Sequence, residues 1–176
     1  SDGSAMRDIR IAAVQFEHRD GDKDYNLGRI RALSQEAVAA GAEVVSFHEC
    51  SISAYSYLQS ASREELRAVA EPVPNGASCQ VLRQIAAECG VPVLAGLVEQ
   101  DGDELFNTYV CMTGDGLVAR FRKLHAFLNP HLSSGNEYCV FDLLGCRCGI
   151  LICYDNNLVE NVRITALMGA EVIFMP

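Results

Sequence analysis

Tryptophan is absent from this sequence, only 7% of its residues are aromatic, and its 14 Lys and Arg never form a run. Against them stand 23 Asp and Glu, for a formal net charge of −9. Nucleic-acid binding needs clustered cations and stacking aromatics, so this composition argues against such a partner. No apolar stretch approaches the roughly 18 residues that a membrane-spanning helix requires. The N-terminus lacks a basic region leading into an apolar one, so it does not read as a signal peptide. Ser1 to Ala5 ahead of Met6 resembles an expression remnant instead, which gives residues 1–6 as remnant and 7–176 as one domain. None of the eight cysteines forms a CxxC pair, and most lie in apolar runs such as Tyr109-Val110-Cys111-Met112. Without a secretory signal they read as reduced core thiols, and cytoplasm is the expected compartment.

What is present is globular. The chain has 176 residues, 49% hydrophobic and 21% charged, enough to bury a sizeable core. Ile9 to Phe16, Val44 to Phe47 and Pro92 to Glu99 read as buried strands separated by helical stretches. Asp24 is the expected cap of the first helix, with Leu27, Ile30, Leu33 and Val38 at helical spacing and Gly41 as its stop. Further helices are expected over about Arg63 to Val69 and Ser78 to Glu88, the latter stopped by Gly90. Asp101-Gly102-Asp103 and Gly114-Asp115-Gly116 turn the chain into strands Leu105 to Met112 and Leu117 to Arg122. A loop runs from Leu124 to Gly135. Strands follow at Val140 to Asp142 and Cys148 to Ile152, then a helix from Val159 to Met168 and a strand from Val172 to Met175. Early strands joined by helices imply parallel pairing, and tight turns later imply antiparallel pairing, so an α/β fold with a mixed sheet is expected. Ending on a buried strand, the chain reads as part of something longer.

Three residues carry chemistry. Cys153 follows the apolar run Gly149-Ile150-Leu151-Ile152 and precedes a helical stretch, a strand–turn–helix setting that exposes a nucleophile beside backbone N–H groups. A nearby helix N-terminus would favour its thiolate. The alternative is that Cys153 simply ends a core strand. Glu49 ends the strand Val44 to Phe47, where a carboxylate is costly unless paired. A desolvated carboxyl suits a general base, whereas an exposed strand-end charge would do nothing. Lys123 ends the strand Leu117 to Arg122 and could stabilise an oxyanion or be solvated after its two arginines. All three fall at C-terminal strand ends, the edge where open α/β sheets bind ligands.

Phe47-His48-Glu49, Arg122-Lys123-Leu124-His125 and Ile152-Cys153-Tyr154-Asp155 resemble the three signature motifs of the nitrilase superfamily of carbon–nitrogen hydrolases, in order and approximate spacing. Ile11-Ala12-Ala13-Val14-Gln15-Phe16 and the stretch Gly169-Ala170-Glu171 leading to Pro176 fit as well. The resemblance implies a four-layer α-β-β-α sandwich, incomplete at its C-terminus, and a catalytic set of Glu49 as general base, Lys123 as oxyanion stabiliser and Cys153 as nucleophile. The N–H of Tyr154 would complete the oxyanion hole, and neither metal nor organic cofactor is needed. It also implies a homodimer or higher homo-oligomer, with Val159, Ile164 and Met168 facing a partner, and a small-molecule substrate. Tyr154-Asp155 resembles the amidase and carbamoylase branches, because true nitrilases more often have Trp-Glu there. Amides or N-carbamoyl compounds are therefore expected over nitriles. Many members carry a further acid in the loop after the lysine. Here residues 126–135 contain none, Glu137 is expected in the next strand, and Asn129 or His131 could take that place. His48, Tyr55, Tyr57, Phe127, Asn129 and His131 are pocket candidates.

Other readings remain. A Cys–His hydrolase using His125 or His131 leaves Glu49 and Lys123 unexplained. Zinc held by Cys146, Cys148 and a His would need a second pair, and the two cysteines fit strand positions better. A binding subunit that keeps the fold without turnover is the alternative outside enzymes.

Overall fold

The structure is a computed structural model that describes residues 8–54, 56–126, 129–152, 165–166 and 168–176, of which 56 and 57 are described by backbone alone. Strands β1 (Ile11–Val14), β2 (Val44–Phe47), β3 (Val93–Asp101), β4 (Glu104–Thr113) and β5 (Gly116–Arg122) form one sheet in that order. β1, β2 and β3 run parallel, while β4 is antiparallel to both β3 and β5. β2 and β5 therefore end at the same edge. A second sheet holds β6 (Cys139–Leu143), β7 (Cys146–Ile150) and β8 (Val172–Phe174), with β7 antiparallel to β6 and parallel to β8.

Local sequence explains the elements between. Helix α1 (Lys23–Ala39) is capped two residues earlier than expected, by Asp22, whose carboxylate accepts the Tyr25 N–H. Asp24 sits inside the first turn, where a negative charge still complements the helix dipole. The short α2 (Ser56–Ser60) was not expected, since five residues hold too little periodicity to be read. Helix α3 (Arg63–Val69) starts with a reciprocal capping box between Ser62 and Glu65. Helix α4 (Ala77–Cys89) ends at Gly90, whose φ of 69° is the left-handed stop that its position implied. Leu144 and Gly145, at φ 49° and 79°, make the two-residue turn between β6 and β7. That turn sets β7 two residues earlier than the expected Cys148 to Ile152. Leu151 and Ile152 continue buried beyond the strand, and the Leu151 N–H donates to the Phe174 carbonyl.

The sheets stack through their inner faces. Tyr109, Cys111, Phe121, Phe141, Cys146, Cys148, Ile150 and Ile152 fill the space between them. On the outer face of the first sheet, Leu27 and Ile30 of α1 and Leu82 and Ile85 of α4 pack on Val45, Phe47, Val93 and Val110. Thr165, helical and buried, lies against Gly149 on the outer face of the second sheet. The order of layers is the expected α-β-β-α, and both sheets lie within it as mixed sheets. A third apolar cluster, with Leu58, Leu66, Val98, Leu105 and Leu132, closes the end of the first sheet beneath α2 and α3. Among the described residues no helix is long and apolar enough to cross a membrane.

Candidate active site

Glu49 stands two residues beyond β2, where the chain leaves the sheet and folds over β3. Three bonds fasten this turn: the Ile52 N–H donates to the Gly96 carbonyl (2.9 Å), and the Ser51 and Ser53 hydroxyls accept from the N–H groups of Gly96 and Val98 (3.3 and 3.1 Å). The approach is close enough that a Cβ on Gly96 would stand 2.4 Å from the Cys50 nitrogen, so glycine is required there. Cys50 itself adopts a φ of 53°. Glu49 is thus held by backbone on both sides.

Lys123 follows β5 directly. Its N–H donates to the Asn107 carbonyl and its own carbonyl accepts the Gly135 N–H, both at 2.8 Å. The strand end before it is anchored by Glu99, which is 1% exposed. Glu99 accepts from both arms of Arg122 (2.8 and 2.9 Å), from Arg120 (3.1 Å) and from the Thr108 hydroxyl (2.8 Å). The Arg122 guanidinium also lies 4.0 Å over the Phe106 ring. With four donors on a buried carboxylate, the end of β5 has little freedom.

These two anchors bring the side chains together. Lys123 Nζ donates to Glu49 Oε1 at 3.1 Å, and the residues are 2% and 5% exposed. Neither is the solvated charge that a strand end alone would allow. A third group completes the set: Asn107 Nδ2 donates to the same Oε1 at 2.6 Å, and the Cys50 thiol donates to Asn107 Oδ1 at 3.2 Å. Asn107 was missed in the sequence. Its signal was a polar residue inside the apolar run Leu105 to Met112, because a buried amide must find partners.

Cys153, Tyr154, Tyr55 and Phe127 lie outside the described residues, as do Val159, Ile164 and the Tyr57 side chain. Asn129 is 1% exposed, and its amide donates to the Leu58 and Ala61 carbonyls (2.7 and 2.8 Å) while its oxygen accepts the His131 N–H (2.9 Å). It ties the loop to the segment between α2 and α3, and its donors are committed to backbone. His131 is half-buried, and Met168 is 46% exposed. Glu137 is exposed and precedes β6 by two residues rather than joining it, beside a cleft of about 330 Å³ with Arg120, Arg122 and Tyr138. His48 turns to the β1 side, with Nε2 3.2 Å from His18 Nδ1 and its ring 4.9 Å from that of Phe16. Burial, followed by the His18 ring, pushes its pKa down to about 4, so it is neutral at physiological pH. It lines a second cleft of about 470 Å³ with Ser46, Ile173 and Met175. Cys146 and Cys148 point into the inter-sheet core from alternate positions of β7. Among the described residues no three His, Cys, Asp or Glu side chains group closely enough to hold a metal ion.

Known proteins resemble this chain in sequence and in fold. The carbon–nitrogen hydrolase family model matches residues 10–176. The chain is 32% identical to a nitrilase of Pyrococcus abyssi (strain GE5 / Orsay), with 96% of this chain and 64% of that protein covered. It is 32% identical to the omega-amidase NIT2 of Homo sapiens (97% and 64% covered) and 33% identical to an (R)-stereoselective amidase of Pseudomonas sp (95% and 59% covered). It thus spans about three fifths of the length of the relatives it matches. Among solved structures, Nit3 of Saccharomyces cerevisiae, of the nitrilase superfamily, superposes with a TM-score of 0.83 at 28% identity over 96% of this chain and 64% of that one. An amidase from Nesterenkonia sp. shares the fold, with a TM-score of 0.79 at 22% identity over 100% of this chain and 68% of that one. By its sequence match from residue 10 onward and by its fold, the chain belongs to the carbon–nitrogen hydrolase family.

Proposed function

We propose that the protein hydrolyses the C–N bond of small amides or N-carbamoyl compounds through a thioester on Cys153. The observation that carries this reading is the buried Glu49–Lys123 pair at the shared end of β2 and β5. In the reaction, Glu49 takes the proton from the Cys153 thiol, and the sulfur attacks the substrate carbonyl carbon. Negative charge develops on the carbonyl oxygen and is met by the Lys123 ammonium and the Tyr154 N–H. The tetrahedral intermediate collapses, the C–N bond breaks, and ammonia or an amine leaves with the proton that Glu49 held. Glu49 then deprotonates a water molecule that attacks the thioester, which releases the acid and restores the thiol. A lysine so close to the base serves two ends: its hydrogen bond positions Glu49 at rest, and its ammonium faces the oxyanion during attack.

Amides are placed ahead of nitriles because Tyr154-Asp155 follows the nucleophile and because amidases are among the relatives. The nitrile reading rests on the relative named a nitrilase. The proposal extends to a cytoplasmic protein that self-associates through the segment containing Met168. Ammonia release from short aliphatic amides, carbamoyl amino acids and nitriles tests the reading, with Glu49→Gln, Lys123→Ala and Cys153→Ala as controls. Turnover of amides or carbamoyl compounds that each control abolishes is expected. Turnover of nitriles alone would move the substrate class, and binding without turnover would make the chain a scaffold.

A further inference from the structure

We infer that Asn107 is a positioning residue for the base: with Lys123 it holds Glu49 Oε1, which leaves Oε2 as the oxygen that exchanges protons with Cys153 and the leaving group. This rests on the hydrolase reading above and assigns the carboxylate its working atom.

Both hydrogen bonds from the described residues to the Glu49 carboxylate land on one oxygen, Asn107 Nδ2 at 2.6 Å and Lys123 Nζ at 3.1 Å. An oxygen that accepts two donors, one of them cationic, is the poorer proton acceptor of the pair. The carboxylate cannot swivel to exchange its oxygens without breaking both bonds in a site where water has little access to replace them. Asn107 is itself oriented. The Cys50 thiol donates to its Oδ1 at 3.2 Å, so the amide end that faces Glu49 is the NH₂ end. Its backbone carbonyl meanwhile accepts the Lys123 N–H, so one residue of β4 sets both members of the pair. Because Cys50 follows Glu49 in the chain, the turn that places the base also orients the amide that aligns it. In each half-reaction Oε2 gains one proton, first from the thiol and later from water. It gives that proton up, to the departing nitrogen and then to the cysteine sulfur.

The test is kcat/KM against pH for the whole protein and for Asn107→Ala, Asn107→Asp, Cys50→Ser and Cys50→Ala, with Glu49→Gln as the reference for loss of the base. Loss of a donor to the charged carboxylate disfavours that form, so the acidic limb of the profile moves to higher pH in Asn107→Ala, and kcat falls roughly 10- to 100-fold. Asn107→Asp keeps the shape and turns the donor into an acceptor, so it falls further still. Cys50→Ser retains the donor and stays near wild type, while Cys50→Ala shows part of the Asn107→Ala effect. If wild type is active, Glu49→Gln is dead, and the Asn107 variants keep both the wild-type limb and kcat, the positioning role is overturned and the hydrolase reading stands. The same holds if Asn107→Ala loses activity while Asn107→Asp retains it, because shape alone then matters. Glu49→Gln with full activity overturns both.

Discussion

At the scale of single residues, the decisive fact is that a lysine and a glutamate share a site from which water is nearly excluded. Removing either partner leaves the other as an uncompensated buried charge, which typically costs about 3–5 kcal/mol. Lys123→Ala and Glu49→Ala are each expected to lower unfolding stability on that order, while the double variant loses clearly less than the sum, as coupled neighbours do. Denaturant melts of the four proteins measure this, and additive losses would show that the pair is not coupled. The thiols offer a second test. Burial pushes the pKa of Cys79 and Cys111 up to about 12 and that of Cys139 and Cys148 up to about 11. Thiolate is the reactive form, so these four are poor nucleophiles near neutral pH. Iodoacetamide followed by mass mapping should therefore modify Cys153 well before any of them. Faster labelling of the core thiols would remove the case for an activated nucleophile.

Elements deliver these residues, and two contacts show how. The turn after β2 fits over β3 only because position 96 has no side chain, with 2.4 Å between a would-be Cβ and the Cys50 nitrogen. Gly96→Ala should push the turn outward and displace Glu49, lowering kcat more than a surface glycine substitution such as Gly28→Ala, which meets nothing within 4 Å. Equal effects of the two would mean that the turn can yield. Helix α4 has Gly76 at its N-cap, without a side-chain cap, and the buried Glu71 supplies the missing acceptor to the Ser78 N–H at 2.8 Å and to its hydroxyl. Burial alone would raise the Glu71 pKa. The Ser78 bonds and the Lys23 ammonium at 3.1 Å outweigh it and hold the carboxyl below its ordinary 4.5. A depressed folded pKa means that stability is present above 4.5 and lost as pH falls through that value and below. Glu71→Gln should therefore melt lower than wild type at neutral pH, and the gap should close on acidification. A constant gap would assign its effect to packing.

The whole molecule shows how far sequence reasoning reaches. Period-3.6 apolar spacing with glycine stops placed the helices α1 and α4, and continuous apolar runs between turn residues placed the strands of the first sheet, whose middle members β3 and β4 are buried on both faces. The short α2 was invisible because its stability comes from Leu58 joining the cluster with Leu66 and Leu105, a tertiary effect. Glu49 and Lys123 were legible as polar residues at strand ends. Asn107 and Glu99 were not, since a polar residue inside a strand reveals its purpose only when its partner arrives from elsewhere in the chain. Asn129 illustrates the reverse: a loop amide that reads as a pocket residue is spent on the Leu58 and Ala61 carbonyls. The stacked sheets supply what no single segment could, a dry edge where β2 and β5 end together. On the proposed mechanism this edge arms Cys153 for acyl transfer. The most direct measurement is rapid acid quench of the protein turning over an amide, followed by peptide mass mapping. An acyl group on Cys153 that accumulates and then decays in wild type, and never forms in Lys123→Ala, is the predicted result. Turnover with no acyl adduct, or with the adduct on another residue, would contradict it.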